Sequence, residues 1–190
     1  MNWKEYKKLS ERTFSYIENL NADINIDLAV KLNQSHCAIG IVTELGELMT
    51  AIKNNDIVNV TEELGDICWY ISNLERLMGN LNQNLIAYKG KIKSIDIGNA
   101  IVNASDLLDI YKKGIYYNKQ INYVEVTDVL ELIKDFVSKA AKLNEKPMHT
   151  VLSVNINKLM LRFPNKFTEK DAIERNTKAE YKLMQNQINK

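Results

Sequence analysis

Apolar residues recur at three- and four-residue spacing along nearly the whole chain, and no segment alternates with the two-residue period of a strand. The pattern therefore predicts an all-α protein. A first helix is expected over residues 3–20, where Tyr6, Leu9, Phe14, Ile17 and Leu20 form a loose apolar stripe that the Asn-Ala-Asp stretch at 21–23 breaks. A short helical piece follows at 25–33. A longer helix then runs from His36 to Lys53, with Ile41, Leu45, Leu48, Met49 and Ile52 on one face and the polar run Asn54-Asn55-Asp56 at its end. Thr61 or Asn59 is expected to cap the next helix, which carries Leu64, Ile67, Ile71, Leu74 and Leu77 and closes at Gly79. The two helices are predicted to form an antiparallel hairpin.

After Gly79 the segment through residue 98 reads as a short helix plus a connector. The first hairpin then recurs: residues 101–113, IVNASDLLDIYKK, match residues 41–53, IVTELGELMTAIK, and EVTD at 125–128 falls where ELGD stands at 63–66. An internal duplication is the expectation, with Asn103 opposite Glu44 and with Asp106, Glu125 and Asp128 still acidic; whether these three hold an ion is left open. The 190 residues are thus read as one all-α domain with pseudo-repeat halves at about 36–80 and 101–176. Pro147 opens a last long helix and Pro164 stops it, which sets Asn155, Lys158 and Arg162 along one face. Beyond them, Thr168 is expected to cap an acidic first turn, and the polar tail to fray.

Composition narrows the function classes. Twenty-five basic residues against 24 acidic ones leave a net charge of +1, so no global field steers the chain to nucleic acid or anionic lipid, and an anionic ligand must be held locally. Neither a signal-like apolar stretch nor a membrane-length apolar run is present in the sequence, and the cytoplasm is the expected location. Cys37 and Cys68, in apolar helical contexts without metal-type spacing, are read as reduced core residues.

Chemistry is concentrated in Glu44-Leu-Gly-Glu47 and, after the fifteen residues 48–62, Glu63-Leu-Gly-Asp66. Each pair is a carboxylate at i and i+3, which on a helix places both side chains on one face about a turn apart. The spacer suffices to finish one helix and return antiparallel, so the pairs can face each other. Four carboxylates brought together repel unless a cation sits among them, and an all-oxygen donor set suits magnesium, or manganese as a substitute, better than zinc or copper. A di-iron bundle would present Glu-x-x-His, which neither pair does. Gly46 and Gly65 each cost about 1 kcal/mol in a helix interior relative to alanine, and so point to close helix approach. His36 is read first as a cap or packing residue, with contact to a base or phosphate as its competing role, and Trp69 and Tyr70 as core residues, of which one could stack on a base.

These residues resemble the all-α nucleoside triphosphate pyrophosphohydrolases of the MazG-like group, which also includes dimeric dUTPases and phosphoribosyl-ATP pyrophosphatase. The family pattern of E-x-x-E, a spacer and E-x-x-D stands here as Glu44, Glu47, Glu63 and Asp66. The continuation Asp66-Ile-Cys-Trp-Tyr and the later Asn155-Ile-Asn-Lys158-Leu-Met-Leu-Arg162-Phe-Pro are also similar to the family. The resemblance implies a helical bundle in which the four acids bind magnesium and carry the catalysis, while Asn155, Lys158 and, more weakly, Arg162 contact the nucleotide. It implies hydrolysis of an NTP or dNTP to the monophosphate and pyrophosphate. One of the four acids is expected to serve as general base, Glu47 being taken first with little to separate it from Glu44. A homodimer is the expected assembly, although a duplicated chain could supply both halves of a site itself. A non-catalytic nucleotide-sensing or oligomerisation module and a phosphoribosyl-ATP pyrophosphatase are the competing functions.

Overall fold

A computed structural model describes residues 1–19, 21, 23–79 and 94–189. Those residues form eight α-helices, a short 3-10 turn at Ile17–Asn19 and no strand. The helices are α1 (Trp3–Glu11), α2 (Ile26–Lys53), α3 (Ile57–Leu77), α4 (Ile97–Tyr116), α5 (Tyr123–Leu143), α6 (Met148–Arg162), α7 (Glu169–Ile173) and α8 (Thr177–Ile188). The expected short helix and connector after Gly79 fall mostly at 80–93, outside the described residues.

The central element is the α2–α3 hairpin. Its antiparallel course is read from residue pairing: Glu44 meets Glu63, the His36 ring lies 5.8 Å from that of Tyr70, and Gln34 Nε2 donates to the Leu77 carbonyl. Ile41, Leu45, Leu48, Leu64, Ile67, Ile71 and Leu74 are all fully buried, so the apolar stripes read from the sequence do form the core. Met49 and Ile52 are only half-buried. Cys37 and Cys68 are free and fully buried, and burial pushes both thiols up. α4 covers α2, with Ala100 and Ala104 allowing close approach. α1 and α6 lie on α3, and α8 lies on α6.

Several boundaries differ from those expected. The first helix stops at Glu11, where the chain tightens into i→i−3 bonds, Thr13 N donating to Ser10 O and Phe14 N to Glu11 O, with Thr13 Oγ1 also donating to Ser10 O. Arg12 then donates to the carbonyls of Phe163, Pro164 and Asn165, which ties the exit of α1 to the end of α6. Phe14 is buried, but from the loop. The two pieces expected at 25–33 and 36–53 are one helix capped by Asn25. Asp56 both follows α2 and caps α3, its Oδ1 accepting from the backbone of Val58 and Asn59; neither Thr61 nor Asn59 is the cap. Asn55, at φ 54°, supplies the left-handed residue of this tight turn.

α6 begins after Pro147 and ends before Pro164, and Thr168 caps α7, as the sequence suggests. The tail does not fray over α8, however. Glu180, Met184 and Ile188 are buried along one side of it, and Glu180 is paired with Arg162. Residues 101–113 lie in α4 and 125–128 in α5, and these helices pack together. Asp106, Glu125 and Asp128 are exposed.

α3 also carries a buried ion cluster. Glu75, with no exposed surface, accepts from Lys7 Nζ and Trp3 Nε1 on α1 and from Lys134 Nζ on α5, each at 3.0 Å. Lys134 makes a further bond of 2.6 Å to Glu131.

Candidate active site

Helix periodicity brings His36, Gly40, Glu44 and Glu47 along one side of α2, and Asn59, Glu63, Asp66 and Tyr70 along the facing side of α3. Glu44, Glu63 and Asp66 converge, each offering an oxygen within 4.8 Å of the others. No other described residues form such a carboxylate, histidine or cysteine group, so Asp106, Glu125 and Asp128 do not constitute a second one. Glu47 stands outside this trio but lines the same cavity, of about 430 Å³, where it is exposed. That volume lies in the range of small-molecule sites.

Burial, reinforced by the charge on Asp66, raises the Glu44 carboxyl to about 7 and the Glu63 carboxyl to about 9, and the two hydrogen-bond each other. Two carboxyls that share a proton are a donor set short of positive charge. A hard divalent cation suits this all-oxygen set, whose three carboxylate oxygens lie within 4.8 Å of one another.

The sign of the resulting pH dependence follows from these shifts. Between about pH 4.5, where unfolded glutamates ionise, and about pH 9, the folded, cation-free protein holds protons that the unfolded chain has released. Its stability is therefore expected to fall as pH rises through that window. Magnesium should offset the loss, with affinity rising up to about tenfold per pH unit for each proton displaced. Thermal melts at pH 6 and 8.5, with and without magnesium, measure this. The same slopes in a Glu44→Gln/Glu63→Gln double variant would refute it.

Behind the trio stands α6. Asn155 and Lys158 are each 1% exposed. Asn155 Nδ2 donates to Asp66 Oδ1 at 2.6 Å, and Lys158 Nζ donates to Asp66 Oδ2 at 2.5 Å and to Glu62 Oε1 at 3.1 Å. Burial opposes the charge on Lys158, but Asp66 and Glu62 outweigh it and raise its pKa. The sequence reading set both residues against the nucleotide; here they are turned onto the acids and hold Asp66 in place. The buried Tyr6 hydroxyl lies 2.6 Å from Asn155 Oδ1 and 3.0 Å from the Gly65 carbonyl, with one proton to share between the two acceptors.

Gly65 is required at this point. A Cβ there would come within 2.7 Å of Asn155 Cβ, so α6 can approach α3 only over a glycine. Gly46, expected to serve the same purpose, has nothing within 4 Å of its would-be Cβ and faces a shallow groove shared with Thr43, Thr50 and Asn59. Gly40, unremarked in the sequence, is the second close approach: the Tyr70 ring occupies the space a Cβ would fill, at 2.2 Å.

Aromatic rings border the acids. Trp69 and Tyr70 meet edge to face at 4.8 Å, the Phe14 ring lies 5.7 Å from Trp69, and Trp69 Nε1 donates to Thr13 Oγ1. Burial lowers the His36 pKa, which favours a neutral imidazole at physiological pH. Phe163 and Phe167, contributed by the end of α6 and the turn after it, also line the cavity. Arg162 lines it too, but its guanidinium is engaged bidentately by Glu180, at 2.9 and 2.6 Å. Burial works against ionisation of Glu180, yet Arg162 and Arg175 together hold its carboxyl below the usual range.

Three contributors escaped the sequence reading. Glu62 lies outside the i, i+3 frame of the motif, although its i, i+4 relation to Asp66 was visible. Tyr6 acts on segments remote in sequence, and Arg175, although bonded to the nearby Glu180, reaches the cavity acids only through the remote Glu62.

Residues 33–85 match the family model described as the MazG nucleotide pyrophosphohydrolase domain. The match spans most of α2 and all of α3, and with them the four acids, Glu62, His36, Trp69 and Tyr70. It does not reach α1, α6 or α8. No curated protein and no solved structure matches the chain.

Proposed function

We propose that this chain, whose residues 33–85 match the MazG nucleotide pyrophosphohydrolase domain model, hydrolyses a nucleoside triphosphate, NTP or dNTP, between the α and β phosphates with the help of magnesium. The observation that carries this reading is the convergence of Glu44, Glu63 and Asp66 at a cavity that also has aromatic walls. Manganese is the expected substitute for magnesium.

Glu44, Glu63 and Asp66 would hold the cation, and Glu47 lines the same cavity outside that trio. Held there, a divalent ion would supply charge neutralisation at the phosphate oxygens and a water more easily deprotonated near neutral pH. Glu47, in the cavity but outside the trio, accepts a proton from the attacking water. The new oxygen–phosphorus bond forms at the α phosphorus as the bond to the bridging oxygen breaks, and the electron pair leaves with pyrophosphate. Lys158 and Asn155 hold Asp66 in its orientation. In this reading they act on the acids, and Lys158 reaches leaving-group charge only across Asp66 and Glu62. The nucleoside is placed against His36, Trp69 and Tyr70, whose ring faces suit a base without fixing its identity.

A panel of ordinary and modified NTPs and dNTPs, with phosphoribosyl-ATP included, assayed with magnesium for pyrophosphate against phosphate release, tests reaction and substrate together. Pyrophosphate and monophosphate in equal amounts are expected. Release of orthophosphate alone, or of nothing from any triphosphate, would reject the reading.

A further inference from the structure

The cavity is crowded with acids, and its ability to take a triphosphate depends on cations. Five carboxylates line it, Glu44, Glu47, Glu62, Glu63 and Asp66, against two guanidinium groups, Arg162 and Arg175. A cation among the trio answers the α phosphate; the two outer phosphates need a positive partner of their own. Lys158 cannot supply it without abandoning Asp66, because it is buried behind that residue. Arg162 is committed as well, since both of its bonds go to Glu180 and its side chain is 14% exposed.

Resting on the pyrophosphohydrolase reading above, we propose that Arg175, set at the cavity by the corner between α7 and α8, binds the outer phosphates of the substrate and the pyrophosphate product. Its present ties are the loosest of any cation there. The side chain is 40% exposed, and its contact with Glu62 is 3.8 Å, too long for a hydrogen bond. Its bond to Glu180 Oε2, 3.0 Å, shares an oxygen that Arg162 already holds at 2.6 Å. When Arg175 turns to a ligand, Glu62 keeps Lys158 and Glu180 keeps Arg162, so neither acid is stranded. The swing therefore costs little. It also starts from the right place, because Arg175, Glu62, Lys158 and Asp66 form an unbroken run of contacts ending at the trio. A planar guanidinium fork matches two phosphate oxygens better than an ammonium would.

Titration of the full-length chain with magnesium alone, and then with inorganic pyrophosphate in excess magnesium, tests this. Arg175→Ala is expected to weaken pyrophosphate binding by about tenfold, the equivalent of ~1.4 kcal/mol, while magnesium alone binds as in the wild type. Lys178→Ala removes a nearby exposed charge that does not line the cavity and should leave pyrophosphate affinity unchanged. Arg175→Lys keeps the charge without the fork and should show an intermediate loss, which decides the matter if the alanine variant does not fold. Wild-type pyrophosphate affinity in the folded Arg175 variants, an equal loss in Lys178→Ala, or no pyrophosphate binding by the wild type would overturn the proposal. A wild type that binds pyrophosphate through Arg175 yet releases none from any triphosphate would reject the hydrolase reading instead.

Discussion

Replacing Asp66 with asparagine is expected to lower pyrophosphate release by on the order of 10³-fold, equivalent to about 4 kcal/mol of transition-state stabilisation. The magnitude follows from its position. Asp66 is the only member of the trio tied to α6, receiving Asn155 on one oxygen and Lys158 on the other. The amide keeps the shape but removes the charge that balances Lys158 and helps attract a cation. The chain should still fold, because Lys158 retains Glu62. Magnesium-induced stabilisation in a thermal melt should disappear in this variant. Glu47→Gln provides the contrast, since a general base outside the trio should lower turnover while magnesium stabilisation persists. Wild-type turnover by the Asp66 variant would remove the metal role, and loss of magnesium stabilisation in Glu47→Gln would make Glu47 a ligand and not the base.

The second large effect is on stability. Glu75→Ala is expected to cost about 3–5 kcal/mol, because it leaves Lys7 and Lys134 charged in the core, 5% and 3% exposed, without their shared carboxylate. For a chain of this size that corresponds to a fall in Tm on the order of 10 °C. Lys134 keeps its bond to the half-exposed Glu131, which sets the loss nearer the lower bound. Replacing Glu75, Lys7 and Lys134 together with methionine should recover much of it, as apolar groups of similar volume need no counter-charge. A Tm within about 2 °C of the wild type for the single variant would mean that water reaches the cluster, contrary to its burial.

Both effects turn on contacts that differ in how visible they are in the sequence. The acid pairs and the hairpin carrying them were legible, because i, i+3 spacing and an apolar stripe are local properties of a helix; the matched segment 33–85 covers the same stretch. Pro147 and Pro164 marked α6 for an equally local reason. The burial of α8 is not legible because its stripe, Glu180, Met184 and Ile188, begins with a charge that Arg162 of α6, together with Arg175, makes tolerable. The end of α1 was misplaced because Phe14 and Ile17 prolong the periodicity after the backbone has left the helix. Asn155 and Lys158 stand out on the sequence of α6, but spacing on one helix says nothing of what faces it. That they meet Asp66 depends on Gly65, whose missing side chain admits α6. Glu62 and Arg175 form a pair across more than a hundred positions, which no pattern within a single element records.

Tyr6 reaches Asn155 across 149 positions and Arg12 reaches the Phe163 carbonyl across 151. Long-range closures of this kind are slow to form and come after local helices. A growing polypeptide that has emerged only as far as α3 would thus possess its cluster of negative charge with no lysine or amide to restrain it. Competence for ligand is the final acquisition of folding, and its appearance after dilution from denaturant should lag behind the recovery of helical signal.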